Sequence, residues 1–293
     1  MPKRFIRLKE FDPSTDLTVH PPEDYLSGTD GSLKNKSCRL RTDSDGFLWT
    51  GHEFSSDDES ILALGDSILE NYWIEEKYRI CSRLEHKFRS EAQHPVRVLN
   101  SGVTGATLLN LLNVLLTKGL KYKLAGVLIM AGPIDAVACA TDGGYWTKHY
   151  QLNPIVEPSG SDRTVLDKRD IADLDQRRKL LQVLASVADI HGVPIWFATY
   201  IHRSDNTEPW VISKWPKIDR FDAYATLQSS INDSTRSFAK EHGRMLIDVQ
   251  MELKNTQDLL YDLIHPNVEG CRYIADLMFR EMAPVILKKH GRQ

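Results

Sequence analysis

The chain has 293 residues, of which 41% are hydrophobic and 26% charged, and its formal net charge is −3 at pH 7. This composition is typical of a globular protein with room for one large domain or two modest ones. The small negative charge gives no general attraction to nucleic acid or to anionic membranes, and no apolar stretch reaches the roughly 18 residues of a membrane span. The sequence therefore supports neither class of partner.

The N-terminal residues are positively charged but lack the apolar core of a secretory signal peptide. We therefore expect a soluble, non-secreted, cytoplasmic protein. Residues 1–58 are rich in Pro, Asp, Ser and Gly and show no sustained hydrophobic period. We interpret this segment as an irregular N-terminal arm with one hairpin, packed on a domain formed by residues 59–293.

From Ile61 onward, short apolar runs alternate with helical patterns. This alternation indicates βαβ units and therefore a parallel sheet with helices on both faces. We predict an α/β three-layer sandwich. Its five predicted strands are Ile61–Leu64, Val96–Leu99, Val127–Met130, Pro194–Ala198 and Met245–Val249. The predicted helices include a segment after Ser67 that reaches Phe88, Thr107–Leu120, Ile171–His191 and a C-terminal helix after Asn267.

The first apolar run stops abruptly at Gly65-Asp66-Ser67. A strand that is buried on both faces appears as a short continuous apolar run, and ligands of open α/β sheets bind beyond the carboxyl ends of such strands. Ser67 is therefore a candidate nucleophile by its position.

A second chemical signal precedes the C-terminal helix, where Asp262 lies three residues before His265. An Asp in this position can accept a hydrogen bond from the imidazole Nδ1–H, which leaves Nε2 free as a base. Asp-x-x-His alone is weak, because a helix-capping Asp beside a surface His produces the same spacing. The two signals are much stronger together, since one ends the first strand and the other precedes the last helix.

With these motifs the chain resembles the SGNH hydrolase superfamily, also called GDSL-like lipases and esterases, from about Ile61 to Leu287. The resemblance implies a flavodoxin-like fold with a five-stranded parallel sheet. It also implies a nucleophilic Ser67 with Asp262 and His265 as partners, and an oxyanion hole that includes the amides of Ser67 and Gly105. No cofactor and no metal are needed for this chemistry.

One block departs from the family pattern. After the third strand the family has Gly-x-Asn-Asp, whose Asn side chain donates to the oxyanion, but this chain has Gly132-Pro133-Ile134-Asp135. Ile134 cannot donate a hydrogen bond from its side chain. The amides of Ser67 and Gly105 could form a two-donor hole, or a side chain from the long loops could replace the missing donor. The candidates for such a donor are His202, Thr199 and Asn206.

Two long segments, Ala140–Arg169 and His202–Ile218, interrupt the alternation. We predict that both are loop insertions that form pocket walls or a lid, because long loops in compact domains are usually functional. The alternative is that each is a surface excursion packed on its own aromatic residues. We predict that the substrate contacts Ile134, Asp66, Trp146, His202 and Trp210.

The function predicted from these features is hydrolysis of acyl esters through an acyl-enzyme, on an O-acylated small molecule or glycan. Two alternatives stay open. An acyltransferase or specialised biosynthetic enzyme, with an acyl donor as partner, would use the same Ser-His-Asp site. A catalytically silent binding protein would keep the fold without turnover.

Overall fold

The computed structural model describes residues 3–53, 58–92, 95–156, 172–214, 218–254 and 257–290. Within these ranges the strands are β1 (Phe5–Ile6), β2 (Asp16–Val19), β3 (Cys38–Arg41), β4 (Ser60–Gly65), β5 (Arg97–Asn100), β6 (Leu124–Met130), β7 (Ile155–Val156), β8 (Ile195–Ala198) and β9 (Met245–Ile247). The α-helices are α1 (Glu23–Leu26), α2 (Ser67–Glu70), α3 (Ile80–Ser90), α4 (Leu108–Thr117), α5 (Pro133–Cys139), α6 (Asp175–Ile190), α7 (Pro209–Lys214), α8 (Ile218–Glu241), α9 (Val249–Glu252) and α10 (Val268–His290).

The centre of the molecule is a five-stranded parallel sheet with the order β5-β4-β6-β8-β9. Every residue of β4 is buried, and β6 is buried from its second residue onward. Such continuous apolar runs fit strands that are covered on both faces. The predicted α/β fold with five parallel strands is confirmed, and each strand lies within three residues of its predicted bounds.

Helices cover both faces of this sheet. The chain runs from β4 to β5 on one side of it, and then reverses direction to add β6, β8 and β9 on the other side. Because each crossover is right-handed, this reversal places α3 on one face and α4, α6 and α8 on the other. On the first face α3 packs against α10, where the rings of Phe88 and Phe279 meet edge to face at 5.1 Å. On the second face, α6 joins α8 through hydrogen bonds from Arg177 to Ser234 and Thr235.

The strand order reverses at β4, and this reversal creates a crevice at the carboxyl edge of the sheet. In open α/β sheets, ligands bind outside the carboxyl ends of the strands at the point where the order reverses. Here β4 lies between β5 and β6 and ends at Gly65, so the chain enters this crevice at Asp66 and Ser67.

The N-terminal segment contacts the sheet domain at several places. Strands β2 and β3 form a small antiparallel sheet, although the connection between them is long and contains α1. Strand β1 pairs with β7, which belongs to the first predicted loop insertion. Phe47 lies in the same hydrophobic core as β4, and Leu48 bridges to Asn100 on β5.

The two predicted loop insertions contain short regular elements. The first holds a 3-10 turn at Gly144–Trp146 and the strand β7, and its residues 157–169 lie outside the described residues. The second was interpreted as a loop but contains the helix α7, which begins with Pro209 at a position that suits proline. No helix in the described part of the chain is long and apolar enough to cross a membrane.

Candidate active site

Ser67 lies at the junction of β4 and α2. A Cβ on Gly65 would lie 2.6 Å from Leu69 Cδ1 and 2.9 Å from the Met130 carbonyl oxygen, so only glycine lets the strand end this close to its neighbours. The Asp66 side chain then caps α2 by accepting a hydrogen bond from the Ile68 N–H at 3.1 Å. The result is a tight turn that presents Ser67 at the carboxyl edge of the sheet.

The loop before α10 brings His265 and Asp262 to this serine. His265 Nε2 lies 2.8 Å from Ser67 Oγ, and His265 Nδ1 lies 2.7 Å from Asp262 Oδ2. The other carboxylate oxygen, Asp262 Oδ1, accepts from the backbone N–H groups of Ile264 and His265 at 2.9 and 2.8 Å. The loop is therefore folded back on its own carboxylate, which fixes the orientation of the imidazole.

The pKa values of this pair move in opposite directions. Burial opposes ionisation of Asp262. The charge and the hydrogen bond of His265, together with the two backbone donors, outweigh this effect and lower the pKa of Asp262 to about 2. Burial also opposes the charged form of His265, but the Asp262 carboxylate outweighs it and raises the pKa of His265. The arrangement thus favours a permanent carboxylate beside a more basic imidazole.

Two tyrosines support this pair, and the sequence interpretation missed both. Tyr25 Oη, from α1 in the N-terminal segment, donates to Asp262 Oδ2 at 2.8 Å. The Tyr261 ring stacks on the His265 ring with centroids 5.7 Å apart and an angle of 12°. No sequence pattern identifies Tyr25, because it lies 237 residues from its partner.

Two backbone N–H groups, on residues that border the same cavity, are available to a ligand. Those of Ser67 and Gly105 make no hydrogen bond with any residue in the described ranges. Gly105 has a φ of +79°, a conformation that favours glycine. The loop is held in place because the preceding residue, Thr104, donates its backbone N–H to Glu70 Oε2 at 3.0 Å.

A cleft of about 870 Å³ opens beside Ser67 and Gly105. Helices α5 and α8 provide most of its wall. Its apolar lining residues are Pro133, Ile134, Val137, Ala140, Ala223 and Leu227. Its polar lining residues include Lys9, whose Nζ lies near Gly105, and also Thr104, Gln151, Arg220 and Gln228. A pocket of this size and apolar character can accommodate a substantial hydrocarbon group.

Comparison with known proteins identifies the family of this chain. The model of the GDSL-like Lipase/Acylhydrolase family matches residues 63–273, a span that includes Ser67, Asp262 and His265. The chain belongs to this family. The predicted resemblance to GDSL-like enzymes is therefore confirmed, and membership supports a serine ester hydrolase in general terms. A search of curated proteins finds no match.

Several solved structures share the fold. A lipase/acylhydrolase from Enterococcus faecalis is 18% identical, with a TM-score of 0.50 over 77% of this chain and 96% of its own. An acetylxylan esterase from Geobacillus stearothermophilus is 16% identical, with a TM-score of 0.51 over 79% and 96% of the two chains. The protein TesA is 17% identical, with a TM-score of 0.51 over 77% and 99%.

Two of the predicted substrate contacts of this GDSL-family chain lie close to Ser67. Ile134 lines the cleft. Asp66 lies next to Ser67 in sequence, but it is buried under α2 as its N-cap and does not line the cleft. Burial raises the pKa of Asp66 to about 7, although the amide of Ile68 partly opposes this shift.

The other three predicted contacts are not brought to this cleft. Trp146 is 55% exposed and lies outside the cleft lining. Trp210 packs in a separate small cluster, with the Arg203 guanidinium over its ring at 5.0 Å. His202 is buried and bonds to Ser229 and Gln250 beside a separate cavity of about 90 Å³. Trp210 and His202 therefore have their contacts outside the cleft.

The residues suggested as replacement oxyanion donors also lie outside the cleft lining. Thr199 Oγ1 donates to Asp248 Oδ1 at 2.8 Å, and neither Thr199 nor Asn206 lines the cleft. The cation that does lie beside Gly105 is Lys9, from the N-terminal segment. The sequence interpretation missed it, since a lysine in an irregular segment carries no signal of its own.

Proposed function

We propose that the protein hydrolyses acyl esters through a covalent acyl-enzyme, with Ser67 as nucleophile, His265 as base and Asp262 as its orienting carboxylate. The observation that carries this proposal is the continuous hydrogen-bonded chain from Ser67 Oγ to His265 and Asp262, at 2.8 and 2.7 Å. Both distances are within the range of a working nucleophile and base.

In the first half-reaction, Ser67 Oγ attacks the ester carbonyl carbon while His265 Nε2 takes its proton. The carbonyl oxygen becomes an oxyanion that accepts hydrogen bonds from the free N–H groups of Ser67 and Gly105. The tetrahedral intermediate then collapses, the bond to the alcohol oxygen breaks, and His265 returns the proton to the leaving alkoxide. Asp262 stabilises the imidazolium that exists between these steps.

In the second half-reaction, a water molecule attacks the acyl carbon of the Ser67 ester. His265 accepts one proton from that water and delivers it to Ser67 Oγ as the bond to the acyl group breaks. The products are a carboxylic acid and the free serine. Water needs no dedicated binding site, so hydrolysis is the default outcome of such an acyl-enzyme.

The cleft supports an ester with a sizeable apolar part. Its wall beside Ser67 is formed by hydrocarbon side chains such as Ile134, Val137 and Leu227. Burying apolar area there contributes about 25 cal/mol per Å². We therefore expect an acylated small molecule or glycan whose hydrophobic portion lies between α5 and α8.

Covalent labelling tests this proposal. Purified protein is treated with a fluorophosphonate probe and its intact mass is measured, in parallel with turnover of p-nitrophenyl esters of increasing acyl length. We expect one adduct on Ser67, and neither adduct nor turnover in Ser67→Ala. Ser229→Ala is the matched control, because Ser229 Oγ also lies beside a histidine, His202 Nε2 at 3.2 Å, but lines a different cavity.

The outcomes separate the alternatives. A folded wild-type protein that forms no adduct would support the silent binding protein and contradict the proposal. Acylated product instead of free acid, when alcohols or amines are added as acceptors, would indicate an acyltransferase that uses the same acyl-enzyme. Free acid that is independent of every acceptor supports hydrolysis.

A further inference from the structure

The ammonium group of Lys9 lies next to one of the two free amides of the cleft. A Cβ built on Gly105 would lie 3.3 Å from Lys9 Nζ, and Lys9, Gly105 and Ser67 line the same cleft. The same cleft is lined by Ile134, whose hydrocarbon side chain has no donor. Lys9 is thus a cation beside one of the two amides that the proposed mechanism assigns to the oxyanion.

This ammonium has no polar partner among the residues that the structure describes. Lys9 Nζ makes no hydrogen bond or ion pair there, although the side chain is half-buried. The nearby carboxylate of Glu70 already accepts both the backbone N–H and the hydroxyl of Thr104. A partly desolvated cation without a partner is costly, and an anion in the cleft would relieve that cost.

The backbone around Lys9 is anchored on both sides. The Arg7 N–H donates to the Pro154 carbonyl at 2.7 Å, beside the pairing of β1 with β7. Glu10 forms an ion pair with Lys118 at 2.8 Å. Lys9 is therefore held between two fixed points, and its side chain is directed into the cleft rather than left to move with a free terminus.

We propose that Lys9 is a catalytic residue whose Nζ donates a hydrogen bond to the oxyanion formed when Ser67 attacks the ester. This inference rests on the proposed hydrolysis. The two amides supply neutral donors, and Lys9 adds a positively charged donor in an apolar cleft where electrostatic interactions are strong. The charge is required in the transition state and not in the neutral ground state, so its main effect is on kcat.

The surroundings of Lys9 predict a pH signature as well. Burial lowers the pKa of Lys9, the charge of Arg7 lowers it further, and the charge of Glu70 opposes both. Arg220 on α8 lines the same cleft and adds positive charge. The ammonium therefore loses its proton at lower pH than an ordinary lysine, and the rate falls on the alkaline side as it does so.

Steady-state kinetics on a neutral p-nitrophenyl ester tests the inference. We expect Lys9→Met to reduce kcat by about 10²–10³-fold, the usual effect of removing an oxyanion donor, with little change in KM. Lys9→Arg retains the charge, so it should keep most of kcat and should also lose the alkaline fall in rate. Lys148→Met is the matched control, because Lys148 is an exposed lysine outside the cleft lining and should leave both constants unchanged.

Thermal unfolding of each variant confirms that it is folded. If Lys9→Met does not fold, Lys9→Gln, which is shorter and neutral, takes its place with the same expected loss of kcat. An unchanged kcat in the folded variant would overturn the inference. A rise in KM confined to esters with an anionic acyl group would also overturn it, and would assign Lys9 to binding substrate charge.

The two proposals fail differently. A wild-type protein that neither hydrolyses esters nor reacts with the fluorophosphonate probe contradicts the proposed function itself. Wild-type activity that is fully retained without Lys9 leaves hydrolysis in place and rejects only the role of Lys9.

Discussion

The imidazole of His265 must be neutral to accept the proton of Ser67. Its pKa is raised by Asp262, so the neutral base is depleted as pH falls through that elevated value. Tyr25 bears on the same equilibrium, because its hydroxyl donates to the Asp262 oxygen that also holds His265 Nδ1. A hydroxyl that shares this oxygen reduces the negative charge available to the imidazolium.

We predict that Tyr25→Phe moves the acid limb of kcat/KM to higher pH. Without the hydroxyl, the Asp262 carboxylate interacts more strongly with protonated His265 and raises its pKa further. The measurement is the pH profile of kcat/KM from about pH 5 to pH 9. Tyr273→Phe is the control, because Tyr273 is an exposed tyrosine on α10. An acid limb that stays in place, or that moves to lower pH, would contradict this coupling.

At this scale the sequence identified residues that lie beside strong local signals. Ser67 follows the end of an apolar run, and Asp262 and His265 share one loop, so short motifs carry them. Lys9 lines the cleft and Tyr25 contacts Asp262 only because the N-terminal segment packs on the sheet domain, and such long-range contacts leave no local pattern. Trp146 and Trp210 lie on the two predicted insertions but outside the cleft lining, because the position of a residue in a long segment does not determine where its side chain packs.

The short helix α2 begins with a buried acid. Asp66 is 1% exposed, and burial raises its pKa to about 7 from 3.8 while its oxygen caps the helix. The folded protein thus holds this proton at pH values where the unfolded chain has released it. The contribution of Asp66 to the free energy of unfolding is therefore largest below pH 3.8, and it declines as pH rises toward 7.

We predict that Asp66→Asn removes this decline. The Asn oxygen still caps α2, but the side chain carries no charge that must be buried. Relative to the variant, the wild type should lose about 1.4 kcal/mol per pH unit between the two pKa values. Urea unfolding at several pH values checks this, with the exposed Asp222→Asn on α8 as control. A constant difference between wild type and variant would show that Asp66 does not retain its proton.

The elements that the sequence located best are those with a strong period or an unbroken apolar run. All five strands of the central sheet belong to this class. Strands β1 and β7 were not predictable in this way, because each has only two residues and the two lie in distant parts of the chain. Helix α7 was missed because its surroundings are rich in polar residues and proline.

Across the whole molecule, the N-terminal segment is part of the core. Phe47 is 1% exposed in the main hydrophobic cluster, and its ring lies 4.0 Å from Lys118 Nζ. Asp43 and Asp45 form ion pairs with Arg97 and Lys121, respectively. This segment therefore contributes to stability as well as to the cleft.

We predict that Phe47→Ala lowers the free energy of unfolding by about 3–5 kcal/mol, the typical cost of removing a buried phenylalanine. Equilibrium urea unfolding provides the measurement. Leu17→Ala is the control, because Leu17 on β2 is 49% exposed and its loss should cost less than about 0.5 kcal/mol. A Phe47→Ala variant as stable as the control would mean that the segment only rests on the domain.

The contact between Tyr25 and Asp262 has a consequence for biosynthesis. A ribosome releases the N-terminal segment first, yet its partners at Pro154 and Asp262 are made much later. Until Asp262 and His265 are made, Tyr25 lacks its hydrogen-bond acceptor and Ser67 Oγ lacks its histidine partner. Contacts between residues so far apart in sequence also slow folding. The hydrogen-bonded chain of Ser67, His265 and Asp262, with its contact to Tyr25, therefore forms only after the loop before α10 has been synthesised.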